Sequence, residues 1–156
     1  MISIFVDGDA CPVKEETYVV ATRYSVPVTL VANSYLYVPE GMGVEMVVVD
    51  QGPDAADDWI AERVGPGDVV VTADLPLAAR CLEAGARVLG TTGRKFEDES
   101  IGDLLATRAL KEHLRGAGME TGGPPPFLDK DRSRFASKLD ELVQKSLREF
   151  PQRTPR

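Results

Sequence analysis

The chain is poor in the residues that most often announce chemistry. Its single histidine, His113, excludes a multi-histidine zinc site, and no serine-nucleophile motif accompanies it to build a hydrolase triad. The two cysteines, Cys11 and Cys81, are too few for a disulfide framework and lack CxxC spacing, so reduced thiols with packing roles are expected. No apolar run approaches the roughly 20 residues that cross a bilayer. The first strand leads into an acidic loop, not from a basic segment through an apolar leader. A cytoplasmic protein with no membrane partner is expected. Repeats and long low-complexity tracts are missing as well. So is an overall positive charge: 18 Lys/Arg against 25 Asp/Glu leave a net −7, which argues against the uniformly basic character of a dedicated nucleic-acid binder.

The charge that is present is uneven. Residues 1–110 carry 8 basic and 18 acidic side chains, a balance of −10, whereas residues 111–156 carry 10 and 7, a balance of +3. A solvated basic helix explains the second figure, and so does a basic arm beside an acidic crevice. With 156 residues the chain suits one domain over 1–150, with a fraying Pro/Arg tail at 151–156.

Three apolar runs end on acidic residues. Ile2–Val6 runs into Asp7-Gly8-Asp9, Val47–Val49 into Asp50 with Asp54, Asp57 and Asp58 behind it, and Val69–Ala73 into Asp74. Buried parallel strands read as such runs, and open α/β sheets bind ligands beyond the strands' carboxyl ends. Further strands are expected at Pro27–Ala32, Val44–Val49 and Arg87–Leu89. Helices are expected from Cys11-Pro12 through Ala21, over Asp54–Val64, Pro76–Ala84 and Ile101–Leu114, and from Asp131 to Leu147 with Phe135, Leu139, Leu142 and Val143 as its apolar stripe. This alternation predicts a three-layer α/β fold: a mainly parallel five-stranded sheet of Rossmann-like type in order 3-2-1-4-5, with a C-terminal helical extension. Asp7 and Asp74 should then meet at the switch point. Carboxylates a few ångströms apart repel unless protons or a cation compensate, and oxygen donors suit Mg²⁺ or Mn²⁺. A metal-dependent phosphoryl-transfer site is the resulting expectation.

Several side chains have two readings. Asp54, Asp57 and Asp58 open a helix, where carboxylates serve equally as caps or as complements to the helix dipole. Thr72 can orient a carboxylate or be satisfied by backbone. Lys14 and Asn33 can contact phosphate or be plain surface residues. Thr121-Gly122-Gly123 can offer backbone N–H groups to phosphate, with Arg132, Arg134 and Lys138 nearby, or make a turn before Pro124. Tyr18 and Trp59 read as core or core margin and not as a base-stacking platform.

The pieces Val6-Asp7-Gly8-Asp9, Gly52-Pro53-Asp54-Ala55-Ala56-Asp57-Asp58 and Thr72-Ala73-Asp74-Leu75-Pro76-Leu77 resemble the PIN-like nuclease superfamily, especially its NYN branch. Asp7-Gly8-Asp9-Ala10-Cys11-Pro12-Val13-Lys14, Thr72-Ala73-Asp74 and Thr121-Gly122-Gly123-Pro124 are more closely similar to the YaiI/YqxD family of uncharacterised bacterial proteins, over nearly the whole chain. That family's first motif is usually Asp-Ala-Asp, so Gly8 is a departure. It has no established activity to carry over. The wider PIN-like resemblance implies a divalent-metal-dependent nuclease acting on single-stranded nucleic acid, RNA favoured. Asp7, Asp57 and Asp74 would hold Mg²⁺ or Mn²⁺, Asp9 would be a ligand or acceptor beside them, and Asp54, Asp58 and Thr72 would stand behind.

Two other classes compete. Asp7-Gly8-Asp9 after an apolar strand also resembles haloacid-dehalogenase-like phosphatases, with Asp7 as nucleophile and Asp9 as acid, although Ala10-Cys11 and the lack of a late paired-acid motif depart from that pattern. A non-catalytic nucleotide-binding, RNA-binding or protein-interaction module is the other.

Overall fold

The computed structural model describes residues 2–9, 11–52, 54–96 and 127–151. The expected helix at 101–114, the Thr121–Gly123 segment, His113 and most of the tail lie outside them. Strands β1 (Ile4–Asp7), β2 (Val28–Ala32), β3 (Val44–Val48), β4 (Val69–Val71), β5 (Arg87–Leu89) and β6 (Lys95–Phe96) form one sheet in the order β3-β2-β1-β4-β5-β6. The first five strands are parallel, in the expected order; β6 adds an antiparallel edge, with Val88 opposite Phe96. A two-residue strand is too short to show a period, so its sequence gave no signal.

Strand alternation divides the core in two. Ile4, Val6, Val28, Leu30, Val69 and Val71 pack on one face, beneath α1 (Lys14–Tyr24) and the last described helix, α4 (Asp129–Glu149), whose Phe135, Leu139 and Val143 are fully buried. Phe5, Val31, Val70 and Val88 pack on the other face, beneath α2 (Ala55–Arg63) and α3 (Leu75–Glu83). The result is three layers, helices on sheet on helices. Tyr18 is buried in the first core, and half-buried Trp59 packs against the second, its ring 6.2 Å from that of Phe5.

Local signals set the helix ends. Pro76 sits in the first turn of α3, where its missing N–H leaves no bond unmade, and Asp74 caps that turn. Ser25 closes α1 in the left-handed region (φ 55), its N–H bonded to Ala21 and Thr22 carbonyls. Helix α4 begins two residues earlier than its apolar stripe suggested, because the Asp131 carboxylate reaches back to the Leu128 N–H at 2.9 Å and organises the turn ahead of it.

Candidate functional site

Asp7 closes β1. It shares the parity of Phe5, so the alternation that buries Phe5 against α2 and α3 turns Asp7 to that same side at the carboxyl end of the sheet. On the neighbouring strand, Val70 faces the same helices and Thr72 follows with the same parity. The buried Thr72 hydroxyl therefore donates to Asp7 Oδ2 at 3.0 Å, and its oxygen accepts the Asp74 N–H at 3.0 Å. One hydroxyl ties the two acidic strand ends together. Asp74 in turn accepts the Leu77 N–H through Oδ1 at 2.9 Å, which caps α3 and leaves Oδ2 without a hydrogen bond among the described residues.

Asp9 stands across the turn, where its Oδ2 accepts the Asn33 N–H at 3.2 Å. Gly8 lets this turn lie close to β2. A Cβ there would approach Leu30 Cδ1 to 2.8 Å and the Val31 carbonyl oxygen to 3.0 Å. An alanine at this position would require that side chain to shift.

Asp7, Asp9 and Asp74 line one cleft of about 340 Å³ with Cys11, Ala73, Leu75 and Thr91. No Lys or Arg lines it among the described residues. Burial pushes the Asp7 carboxyl above its usual range, the Thr72 hydrogen bond opposes that rise, and the charges of Asp74 and Asp9 add to it. Asp57, in the first turn of α2, does not line the cleft but feels it: partial burial and then the charges of Asp74, Asp7 and Asp54 push its carboxyl up to about 6, against the pull of Arg80. These four carboxylates are one electrostatic unit, assembled from segments up to 67 residues apart.

The donor chemistry of this unit fits a hard divalent cation, since every charged donor is a carboxylate oxygen and burial, with neighbouring negative charge, raises the proton affinity of Asp7 and Asp57. Among the described residues no group of three or more acidic, histidine or cysteine side chains is placed to hold a metal ion.

The remaining expected residues divide sharply. Asp58 pairs with Arg80 at 2.7 Å, bracing α2 against α3. Asp54 occupies the N-cap position of α2 without a side-chain cap bond. Asn33 joins two loops, its Nδ2 donating to the Asp50 carbonyl at 2.8 Å while its N–H holds Asp9. Lys14 Nζ donates to the Cys11 carbonyl at 2.8 Å, and Arg132 Nη1 to the Pro12 carbonyl at 2.7 Å, so both cations flank the loop after β1. Arg134 and Lys138 instead face acids of their own helix, Asp131 at 3.7 Å and Glu141 at 3.3 Å. Thr91 and Cys11 were not foreseen as cleft residues. For Thr91 the signal was available: it follows the carboxyl end of β5, as Asp74 follows β4 and Asp7 ends β1.

The molecule is thus a three-layer α/β protein with an acidic cleft at the point where its sheet reverses winding. The profile of the uncharacterised bacterial YaiI/YqxD family matches residues 5–145, and the chain belongs to that family. It is 53% identical over 148 residues to a UPF0178 protein of Caulobacter sp. (strain K31), covering 95% of this chain and 98% of the relative. A UPF0178 protein of Paramagnetospirillum magneticum is 52% identical over 151 residues, covering 97% and 100%. One of Bradyrhizobium diazoefficiens is 54% identical over 142 residues, covering 91% and 85%. No solved structure matches the chain. No helix among the described residues is long and apolar enough to cross a membrane.

Proposed function

We propose that this protein is a divalent-metal-dependent nuclease that hydrolyses phosphodiester bonds in single-stranded nucleic acid. The observation that carries the reading is the Asp7–Thr72–Asp74 link: acidic residues at adjacent strand ends, joined by one buried hydroxyl that donates to the Asp7 carboxylate and accepts the Asp74 backbone N–H, in a cleft that Asp9 also lines. Asp7 and Asp74 would hold Mg²⁺ or Mn²⁺, with Asp9 and Asp57 beside them. A bound cation would polarise the phosphodiester, activate a water and neutralise the leaving oxyanion. The chain's own residues do the rest. Thr72 holds one Asp7 oxygen in place, and the α3 cap leaves one Asp74 oxygen without a hydrogen bond among the described residues. Lys14 and Arg132 stand at the loop after β1, where a phosphate backbone approaching the cleft would meet positive charge.

The test is incubation of purified protein with labelled single-stranded RNA and DNA in Mn²⁺, beside an EDTA control and Asp7→Asn. Cleavage by wild type alone, lost in EDTA and in the variant, is expected. Calorimetry should show weaker Mn²⁺ binding by Asp74→Asn, which keeps the cap acceptor while removing the charge; equal affinity would remove Asp74 from the site. A phosphoryl group trapped on Asp7 from a phosphate monoester would replace this reading with the phosphatase one.

A further inference from the structure

Next to the acidic cleft, and sharing Cys11 as a wall, lies a second pocket of about 670 Å³. It runs between the start of α1, the loop joining β2 to β3, and the start of α4. Its composition is unlike that of the cleft. Two cations, Lys14 and Arg132, line it together with Tyr37, Glu16 and Tyr18. Tyr37 is 82% exposed, an unusual state for an aromatic ring that has neither a packing role nor a hydrogen bond among the described residues. Tyr18 is 95% buried, yet its hydroxyl has no hydrogen-bond partner among the described residues, and neither has Glu16 Oε2. Buried polar groups are nearly always satisfied, so two orphans on one pocket's lining mark a place for a polar partner, a ligand group or an ordered water, that the described residues do not supply. Arg132 is held here by the Pro12 carbonyl, by Glu16 Oε1 at 3.3 Å and by the Phe127 ring, 4.9 Å from its guanidinium. Among the described residues those contacts use one guanidinium nitrogen as donor, and the others can donate to an anion.

We propose that this pocket is the nucleotide subsite of the cleft: one base of a single strand stacks on Tyr37, its polar edge meets Glu16 and Tyr18, and the adjoining phosphate engages Lys14 and Arg132. The substrate class rests on the nuclease reading, and the pocket deepens it by naming where the strand is gripped. An exposed aromatic beside two cations is how sequence-tolerant single-strand binders hold successive nucleotides. Cys11 lines both the pocket and the cleft, so the two are neighbours.

Fluorescence anisotropy of a labelled oligonucleotide, with Ca²⁺ in place of Mn²⁺, tests the assignment on the full chain. Tyr37→Ala should weaken binding about tenfold and Tyr37→Phe should restore it, because a phenyl ring stacks as a phenol does. Tyr35→Ala is the control, since Tyr35 is 71% exposed in the same loop but does not line the pocket. Lys14→Gln should lower the slope of log affinity against log salt by about one phosphate contact. Unchanged affinity in Tyr37→Ala, an equal loss in Tyr35→Ala, or no detectable binding by wild type in either cation overturns the proposal. The two readings fail separately. A wild type that binds through Tyr37 but never cleaves in Mn²⁺ ends the nuclease reading, and metal-dependent cleavage indifferent to Tyr37 ends only the subsite.

Discussion

Asp68 and Asp7 lie at opposite ends of neighbouring strands in the same sheet, and their surroundings could hardly differ more. At the amino edge, Asp68 accepts the Ser3 N–H and the Gly65 N–H, each at 2.9 Å, stitching the start of β4 to the start of β1 and to the preceding turn. Nearby, Arg87 pairs with Glu149 at 2.6 Å and donates to Ser146 at 2.8 Å, locking the end of α4 onto β5. At the carboxyl edge, Asp7 receives one hydroxyl donor and faces the charges of Asp74 and Asp9. One edge uses its carboxylates to close structure. The other holds them close together with acceptor capacity to spare, which is the condition a ligand can relieve.

Exchanging the two edges is the strongest way to break this contrast. Asp7→Asn should reduce cleavage on the order of 100-fold or more while leaving the fold standing, because it removes one member of a repelling group. Asp68→Ala should do the reverse, lowering stability by about 1–2 kcal/mol in urea titrations through two unpaired N–H groups, with cleavage per folded molecule unchanged. If Asp7→Asn unfolds the protein and Asp68→Ala silences it, the division of labour is wrong.

Thr72→Val sharpens the comparison at the link itself. It keeps the shape of the side chain and removes the hydroxyl between Asp7 and Asp74. Cation affinity should fall about tenfold, as for other residues that orient ligands, and Thr72→Ser should recover it. Calorimetry on both variants decides the point.

A smaller effect separates Asp57 from an ordinary helix-start carboxylate. The folded protein holds its proton more tightly than the unfolded chain does, with its carboxyl raised from 3.8 to about 6. Protonated Asp57 therefore contributes stability that is complete below the unfolded value and is lost as pH rises through the folded one. Asp57→Asn escapes that loss. Its stability relative to wild type should climb between about pH 4 and about pH 7 and then level off, read from urea midpoints across the range. A constant difference between the two proteins would mean that Asp57 does not feel Asp74 and Asp7.

Arg80→Gln should have the smallest effect. Its ion pair with Asp58 is 45% and 53% exposed, so its loss should alter stability by about 0.5 kcal/mol or less. The informative readout is Asp57, whose midpoint should rise once the cation that opposes its shift among the described residues is gone. Carbon-13 NMR of the Asp57 carboxyl measures this directly.

Much of the architecture was legible because its cause is local. Val/Ile runs bounded by Gly and Pro mark buried strands, and helix-length segments between them demand parallel pairing, so the order of the first five strands followed. The same logic brought Asp7 and Asp74 to adjacent strand ends. It stopped short of β6, too brief to carry a period, and of the separate fates of Asp57 and Asp58. Those neighbours have the same side chain and the same helix start, but one feels the charges of Asp74 and Asp7 while the other forms the ion pair with Arg80. The basic C-terminal segment divided in a similar way: Arg132 reaches the loop after β1, while Arg134 and Lys138 pair with acids on their own helix.

By itself the sequence determined the layer architecture, the parallel sheet and the acidic character of its carboxyl edge, since each is encoded by side-chain type repeating at strand or helix spacing. Only the tertiary structure decided that Thr72 joins Asp7 to Asp74, that Asp57 is driven to about 6, and that Lys14, Tyr37 and Arg132 meet in one pocket. Hydrogen bonds act over about 3 Å and charge coupling falls steeply with separation. These contacts join segments tens of residues apart, so chain closure, and not pattern, fixes them.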